Sequence, residues 1–274
     1  MTRILVTGHE GLLGSNLVAL GCTPFVADLT DMHSIRAGIT PAYAIINCAA
    51  KTNVDWCETY PASSSEVNVM GVQRLIETLQ GLSGSPPLLV HISTDFIANG
   101  DHGPYTEESI TPNPLNVYGA QKWFSEIMVR NQYPKHLIIR TTMLYGAHKS
   151  KFTFVHWLLS ELSCHTNQIG VTYKQVTTPT YAPDLARIIL TLVKRGMSGT
   201  FHVTSGETYT RFQFAIAVAK EFGYPQERIM ATHHADQTAV RPQNGGLFVR
   251  KLDELGIVPQ KTLESIKELK QNWK

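Results

Sequence analysis

The chain is poor in the features that would narrow its setting at a glance. Its 274 residues hold four cysteines, Cys22, Cys48, Cys57 and Cys164, with no CxxC pair and no zinc spacing, so a disulfide framework or a cysteine-based metal site is excluded. No apolar run approaches the roughly 18 residues that cross a bilayer, and no polybasic amphipathic stretch suggests surface attachment. Charge of one sign is missing as well: the formal net charge is +2, with Lys and Arg scattered, so nothing marks a nucleic-acid partner. There is no internal repeat or low-complexity tract, and the first residues begin a strand rather than a signal sequence. The expectation is a soluble cytoplasmic protein with neither a membrane nor a nucleic-acid partner.

What is present is a core. With 43% hydrophobic and 17% charged residues the chain can bury one large domain, or a domain with a smaller lobe. Short apolar runs at 3–7, 24–27, 44–48, 88–93 and 137–141 have the length and composition of buried strands. Helical periodicity fills the gaps at 12–20, 31–39, 63–79 and 117–130. Strand and helix in alternation specify an α/β fold, a Rossmann-type doubly wound parallel sheet. Beyond Gly146 the pattern loosens into helix-like segments at 152–162, 183–194 and 211–222 with a strand at 200–203. The chain therefore divides into a mainly nucleotide-binding part, 1–146, and a smaller mixed substrate-binding lobe, 147–274, some of whose segments return to the sheet.

The first strand runs into Gly8-His9-Glu10-Gly11-Leu12-Leu13-Gly14 and then into a helix. Glycines there permit a tight turn and close approach of the backbone to a pyrophosphate, while the helix N-terminus favours negative charge. Asp28 follows Gly8 by twenty residues, where an acid accepts hydrogen bonds from an adenosine ribose. A second reading makes Asp28-Leu29-Thr30-Asp31 an adenine-side loop with Asp31 capping the next helix. Arg36 is the one nearby basic residue for an NADP 2′-phosphate, so NADH and NADPH both stay open.

The richest stretch is Tyr118-Gly119-Ala120-Gln121-Lys122, a phenol and an ammonium one helical turn apart. A cation beside a phenol favours the phenolate, so the pair suits proton transfer. Upstream, the strand at 88–93 ends in Thr94-Asp95, which puts a hydroxyl at the carboxyl edge of the sheet where ligands bind. If Thr94 and Tyr118 both reach a substrate oxygen, Tyr118 is the general acid and Lys122 its support.

Together these residues resemble the extended short-chain dehydrogenases/reductases, and within them the dTDP-4-dehydrorhamnose reductase family. Further matching pieces are Ile46-Asn47-Cys48-Ala49-Ala50-Lys51-Thr52, Val67-Asn68, Arg140-Thr141-Thr142 with Leu144-Tyr145-Gly146, Thr178-Pro179-Thr180 with Pro183-Asp184-Leu185-Ala186, and Arg241-Pro242. The resemblance implies hydride transfer from NADPH or NADH to C4 of a dTDP- or UDP-linked 4-keto-6-deoxy sugar, with Tyr118 as proton donor and Thr94 polarising the ketone. It implies that Lys122 holds the nicotinamide ribose, that Ala49 and Ala50 pass beneath the cofactor and that Thr142 lies near the nicotinamide. Glu10, Leu12, Leu13, Leu29, Cys48, Lys51 and Asn68 join the cofactor set. Asp95, Phe96, Met143, Thr178 and Arg241 join the substrate set, with Arg241 on the diphosphate. A monomer or homodimer is expected.

Two positions depart from the family's pattern, Phe96 for a usual Tyr and Met143 for a usual Trp, and the stretch from Gly14 to Asp28 is short. Asn53-Val54-Asp55-Trp56-Cys57-Glu58 resembles bifunctional epimerase-reductases that make UDP-rhamnose, yet the cysteine those enzymes carry after the catalytic Thr strand is absent. Cys57 reads as a small buried residue. Asn16 stands where some relatives place a metal-binding Glu, and His9 and His233-His234 have no partners at ligand spacing, so no metal is expected. A non-catalytic alternative also follows from resemblance, to the regulatory subunit of methionine adenosyltransferase.

Overall fold

A computed structural model of the chain describes residues 3–148, 153–164, 167–233 and 237–273. Its centre is a six-stranded, all-parallel sheet. The strands are β1 (Ile4–Thr7), β2 (Thr23–Pro24), β3 (Ala44–Asn47), β4 (Leu88–Thr94), β5 (His136–Thr141) and, further along the chain, β10 (Gly199–His202). Their spatial order is β10-β5-β4-β3-β1-β2, so the order reverses at β1 and β3, the switch point where such sheets open a crevice.

Both faces of the sheet are covered. One carries α1 (Leu12–Ala19) and α8 (Ala182–Lys194), through Leu13, Leu17, Leu185, Ile188 and Ile189. The other carries α2 (Met32–Gly38), α5 (Gly71–Gln80) and α6 (Val117–Gln132), through Ile35, Leu75, Ile76, Leu79 and Val129. Strands buried on two sides have no polar face to alternate with, which is why they read as continuous apolar runs. A third core belongs to the lobe, where α7 (Phe154–Cys164), α9 (Arg211–Phe222) and α11 (Thr262–Asn272) pack with the strand pair β7 (Ile169–Thr172) and β12 (Ile229–Thr232). Small pairs complete it: β6 (Leu144–Tyr145) with β9 (Thr180–Tyr181), and β8 (Val176–Thr177) with β11 (Tyr209–Thr210).

Three sequence expectations are corrected. The run at 24–27 forms only the two-residue β2: Phe25 is buried and its N–H still bonds Val6, but Val26 is 72% exposed, because an edge strand has one neighbour and the chain turns away. The helix expected over 63–79 is three pieces, α4 (Pro61–Ser65), a π-helical turn at Glu66–Met70 and α5. The widened turn turns the Asn68 amide towards Lys51 and Gln121. Missed altogether were α3 (Val54–Thr59), the short pairs of β6 with β9 and β8 with β11, β7, β12, α10 (Arg250–Glu254) and α11. Phe152, the expected start of the next helix, and His234 lie outside the described residues.

A buried ionic triad seats α6 on the sheet. Glu126 receives both Nε and Nη2 of Arg140 at 3.0 and 2.9 Å and Nη2 of Arg130 at 2.7 Å, with Glu126 fully buried. Removing one member of such a group costs about 3–5 kcal/mol, since it strands a charge in the core. Arg140 lies on β5 and Glu126 one turn beyond Lys122, so this triad also fixes the height of Tyr118 and Lys122 above the sheet.

Candidate active site

A cavity of about 930 Å³ opens over the carboxyl ends of β1, β3 and β4. The glycine turn forms one end. Gly8 sits at φ 61° against Ala49, and a Cβ on Gly14 would lie 2.2 Å from the Gly8 carbonyl, so neither position admits a side chain. Gly11 N–H closes the turn on Gly8 O at 2.8 Å. Glu10, Leu12, Leu13, Cys48, Ala49, Ala50 and Lys51 line the cavity with the glycines, as do Asp28 and Leu29. Here a cofactor's phosphates would meet backbone N–H groups and no side-chain bulk.

At the β2 end of the cavity Asp28 is exposed, and its carboxylate accepts from the Thr30 N–H and hydroxyl, both at 2.8 Å, which holds it below the usual carboxylate range. Asp31 caps α2 through His33 N–H at 2.9 Å, as the second reading of that loop expected. Arg36 sits exposed in the last turn of α2 and is not a lining residue, whereas Ser34, which sequence reasoning passed over, is; its hydroxyl accepts from Asp28 N–H at 2.9 Å.

The central wall brings together Thr94, Asp95, Phe96, Tyr118, Lys122, Thr142 and Met143. The sequence accounts for the approach. Asn116 caps α6 through Gly119 N–H at 2.8 Å, Glu58 accepts Val117 N–H at 2.9 Å, and a Cβ on Gly119 would stand 2.2 Å from the Phe96 carbonyl. Only glycine lets the helix come this near to the turn after β4, and so brings the Tyr118 ring edge-on to Phe96 at 6.2 Å. The Thr94 hydroxyl bonds Asp95 Oδ1 at 3.0 Å and lies beside the Tyr118 phenol.

Burial sets the protonation states. It raises the Tyr118 phenol, with the Asp95 charge adding to the effect, so this tyrosine holds its proton at neutral pH. It lowers the buried Lys122 ammonium to about 8 against the pull of Glu126. Asp95 is pushed up to about 7 by burial, opposed by hydrogen bonds from Thr94 and Thr142. Lys122 Nζ stands 3.3 Å from Nε2 of His91, a fully buried histidine that burial and the Lys122 charge keep neutral.

Three expected residues stand apart from the cavity wall. Asn68 is buried beneath it, its amide bracketing Lys51 through the backbone N–H at 2.8 Å and the carbonyl at 3.0 Å, so its place is under the loop after β3. Thr178 is fully buried and its hydroxyl accepts Leu247 N–H at 3.1 Å. Arg241 is engaged by Asp55, at 2.9 Å to Oδ1 and 2.7 Å to Oδ2, which also lowers the Asp55 carboxyl. The motif around Asn53 thus acts as a clamp: Asp55 takes Arg241 and Ala239 N–H, Glu58 takes α6, and the buried Cys57 thiol turns to the Lys51 carbonyl at 3.4 Å. Burial raises that thiol, so Cys57 is an inert packing group.

Arg211 was not anticipated. Its guanidinium lies 5.2 Å from the Phe154 ring and makes no hydrogen bond or ion pair among the described residues. Burial and the neighbouring Arg241 lower it to about 10, while Asp95 and Asp55 pull the other way. Its sequence context, a Thr210–Gln213 capping box, signals only a helix start. Asn16 donates to the Leu12 carbonyl at 2.7 Å, His9 lines the glycine turn, and His233 meets the Tyr173 hydroxyl at 2.7 Å.

A family model described as the RmlD substrate binding domain matches residues 1–273. The chain belongs to this family. Among curated relatives of this RmlD-type chain, the dTDP-4-dehydrorhamnose reductase of Mycobacterium tuberculosis is 30% identical, over 94% of this chain and 88% of the relative. The methionine adenosyltransferase 2 subunit beta of Danio rerio is 29% identical, over 95% of this chain and 87% of its own length. The crystal structure of dTDP-4-dehydrorhamnose reductase from Bacillus anthracis, in complex with NADP, superimposes with a TM-score of 0.90 at 26% identity, covering 99% of each chain. The RmlD-type chain is an oxidoreductase of the extended short-chain dehydrogenase/reductase kind.

Proposed function

We propose that this chain reduces the C4 ketone of a nucleotide-linked 4-keto-6-deoxy sugar, dTDP- or UDP-4-dehydrorhamnose, to the L-rhamnose form, using NADPH or NADH. The observation that carries this reading is the convergence of Thr94, Tyr118 and Lys122 on one cavity wall beside the glycine turn. The cavity fits a nicotinamide dinucleotide: Gly8 and Gly14 leave the backbone bare for the pyrophosphate, and the Bacillus anthracis relative of this fold binds NADP. When bound, the cofactor supplies the hydride.

The chain's own residues do the rest. Thr94 Oγ1 orients the ketone oxygen, and the Tyr118 phenol, kept protonated by burial, delivers its proton as negative charge grows there. Lys122, still largely cationic below about pH 8, favours the phenolate that Tyr118 becomes. Asp95 accepts the Thr94 proton in the absence of the sugar, and that proton turns to the ketone oxygen when the sugar binds. Arg211, whose guanidinium makes no hydrogen bond among the described residues, is electrostatically coupled to Arg241 and to Asp95 of the cavity wall, and the two cations are our candidates for the diphosphate, because a guanidinium offers two parallel N–H bonds. Reduction alone is favoured over combined epimerisation and reduction, because Asp95-Phe96-Ile97-Ala98 after Thr94 holds no cysteine and the Cys57 thiol is buried against the Lys51 carbonyl.

The test is nicotinamide oxidation, followed by absorbance, with dTDP- and UDP-4-dehydrorhamnose and with each cofactor. Turnover with at least one pair is the expected result. Tight NADPH binding with no turnover on either sugar would overturn it. That outcome would favour the second reading, a nucleotide-binding regulatory subunit, which the 29% identity to methionine adenosyltransferase 2 subunit beta supports.

A further inference from the structure

A line of buried polar groups runs beneath the cavity from the loop after β3 to the catalytic helix. Ala49 N–H bonds Thr7 Oγ1 at 3.2 Å, and Thr7 Oγ1 lies 2.6 Å from Asn47 Oδ1. Asn47 Nδ2 lies 3.4 Å from His91 Nδ1, His91 Nε2 lies 2.9 Å from Ser125 Oγ, and Ser125 Oγ lies 2.8 Å from the Lys122 carbonyl. Thr7, Asn47, His91 and Ser125 are all buried, and they come from β1, β3, β4 and α6.

The direction of each hydrogen bond follows from the two ends. A separation of 2.6 Å suits O–H···O and is shorter than the usual N–H···O range, so the Asn47 oxygen faces Thr7 and its NH₂ faces His91. An NH₂ group can only donate, so Nδ1 of His91 is the bare nitrogen and Nε2 carries the proton. Ser125 accepts that proton's hydrogen bond because its own hydrogen goes to the Lys122 carbonyl, which can only accept. Every donor in the line thus points the same way, from Ala49 towards Lys122.

Lys122 Nζ, 3.3 Å from Nε2, therefore meets an N–H where an acceptor would otherwise stand. We infer that His91 is a positioning residue: locked by Asn47 and Ser125 as the Nε2–H tautomer, it denies Lys122 an internal acceptor and leaves the ammonium protons for a ligand in the cavity. The other titratable groups facing Lys122 are Glu126 and Tyr118 on its own helix and Cys48 at the end of β3; the Cys48 thiol is itself kept protonated by burial. None of these hydrogen-bonds Nζ among the described residues. The tautomer stands on the geometry alone, while its consequence for a ligand rests on the reductase reading.

Two measurements on the full-length protein test it. With ¹⁵N-labelled histidine, long-range proton–nitrogen spectra should show His91 protonated at Nε2 and bare at Nδ1, unchanged from about pH 6 to about pH 9. Asn47→Asp would force the opposite tautomer, since a carboxylate beside Nδ1 requires a proton there; Nε2 then accepts from Lys122 and draws it out of the cavity. NADPH binding, read by fluorescence, should weaken by roughly tenfold. The same substitution in a His91→Phe background carries the added charge without the tautomer switch and should shift binding by less than about twofold. A wild-type His91 protonated at Nδ1 overturns the inference whatever the variants do, and so does an equal loss in both backgrounds. No NADPH binding by the wild-type protein would instead sink the reductase reading and the proposed benefit to the ligand, leaving the tautomer to the spectrum.

Discussion

The two walls of the cavity are built differently. On the sheet side, Thr94, Tyr118 and Lys122 come from one strand and the helix after it, and their supports are buried: the Glu126 triad, the His91 line and the Gly119 contact with Phe96. On the lobe side, Met143 sits at φ 41°, a left-handed conformation that costs a residue with a Cβ about 1–2 kcal/mol, and the two arginines lie behind the lining rather than in it. Arg241 is tied to a carboxylate 37% exposed, and the Arg211 guanidinium, which lies over the Phe154 ring, has no hydrogen-bond partner among the described residues. On the proposed reading, the reduction chemistry sits on the wall with buried supports, and the choice of substrate falls to the other.

The largest effect that could break this contrast is on the sheet side. Tyr118→Phe should lower kcat by roughly 10²–10⁴-fold while NADPH affinity stays near wild type, since the ring remains and only the proton is lost. Steady-state kinetics beside a cofactor titration check this; equal loss in binding and turnover would mean that Tyr118 is mainly a cofactor ligand.

Next come the lobe-side cations. Arg241→Met and Arg211→Met should each raise KM for the nucleotide-sugar by about tenfold or more with NADPH binding unchanged. Asp55→Asn sharpens the comparison. If Arg241 exchanges Asp55 for the diphosphate, loosening that pair lowers KM; a KM raised as in Arg241→Met would instead make the clamp purely structural.

The smallest effect is on stability. Asp95, with a folded pKa of about 7 against 3.8 unfolded, contributes stability that is complete below the unfolded value and is lost as pH climbs through about 7. Asp95→Asn should therefore flatten the pH dependence of Tm between about pH 4 and about pH 8 and gain on wild type at the alkaline end. At about 2–4 °C per kcal/mol for a chain of this length, differential scanning calorimetry resolves it. A Tm difference that does not change with pH would place the Asp95 charge outside the balance.

Much of the fold was legible because its signals are local. The buried strands Ala44–Asn47 and Leu88–Thr94, the Asp31 cap and the helix Arg211–Phe222 each declare themselves within a few residues. The π turn at Glu66–Met70 was not, since periodicity carries through it; nor was the two-residue β2, whose apolar run hides an exposed Val26. In the site, Gly8 was readable from the first strand–helix unit and Thr94, Tyr118 and Lys122 from the unit of β4 and α6, because each motif is local to its unit. Arg211 and Asp55 were not, because their roles come from segments more than thirty residues apart meeting at the lobe.

The sequence by itself determined a doubly wound sheet, a glycine turn for a dinucleotide and a phenol with an ammonium on one helical face, all consequences of residue type and short-range spacing. Tertiary structure alone decided which charges are free. Only packing shows that Arg241 is engaged by Asp55 while the Arg211 guanidinium makes no hydrogen bond among the described residues, and that His91, two strands away from β1 in the sheet, has its Nε2 3.3 Å from Lys122 Nζ. Hydrogen bonds and desolvation act across a few ångströms of space, and the chain brings those ångströms together from positions that share no local pattern.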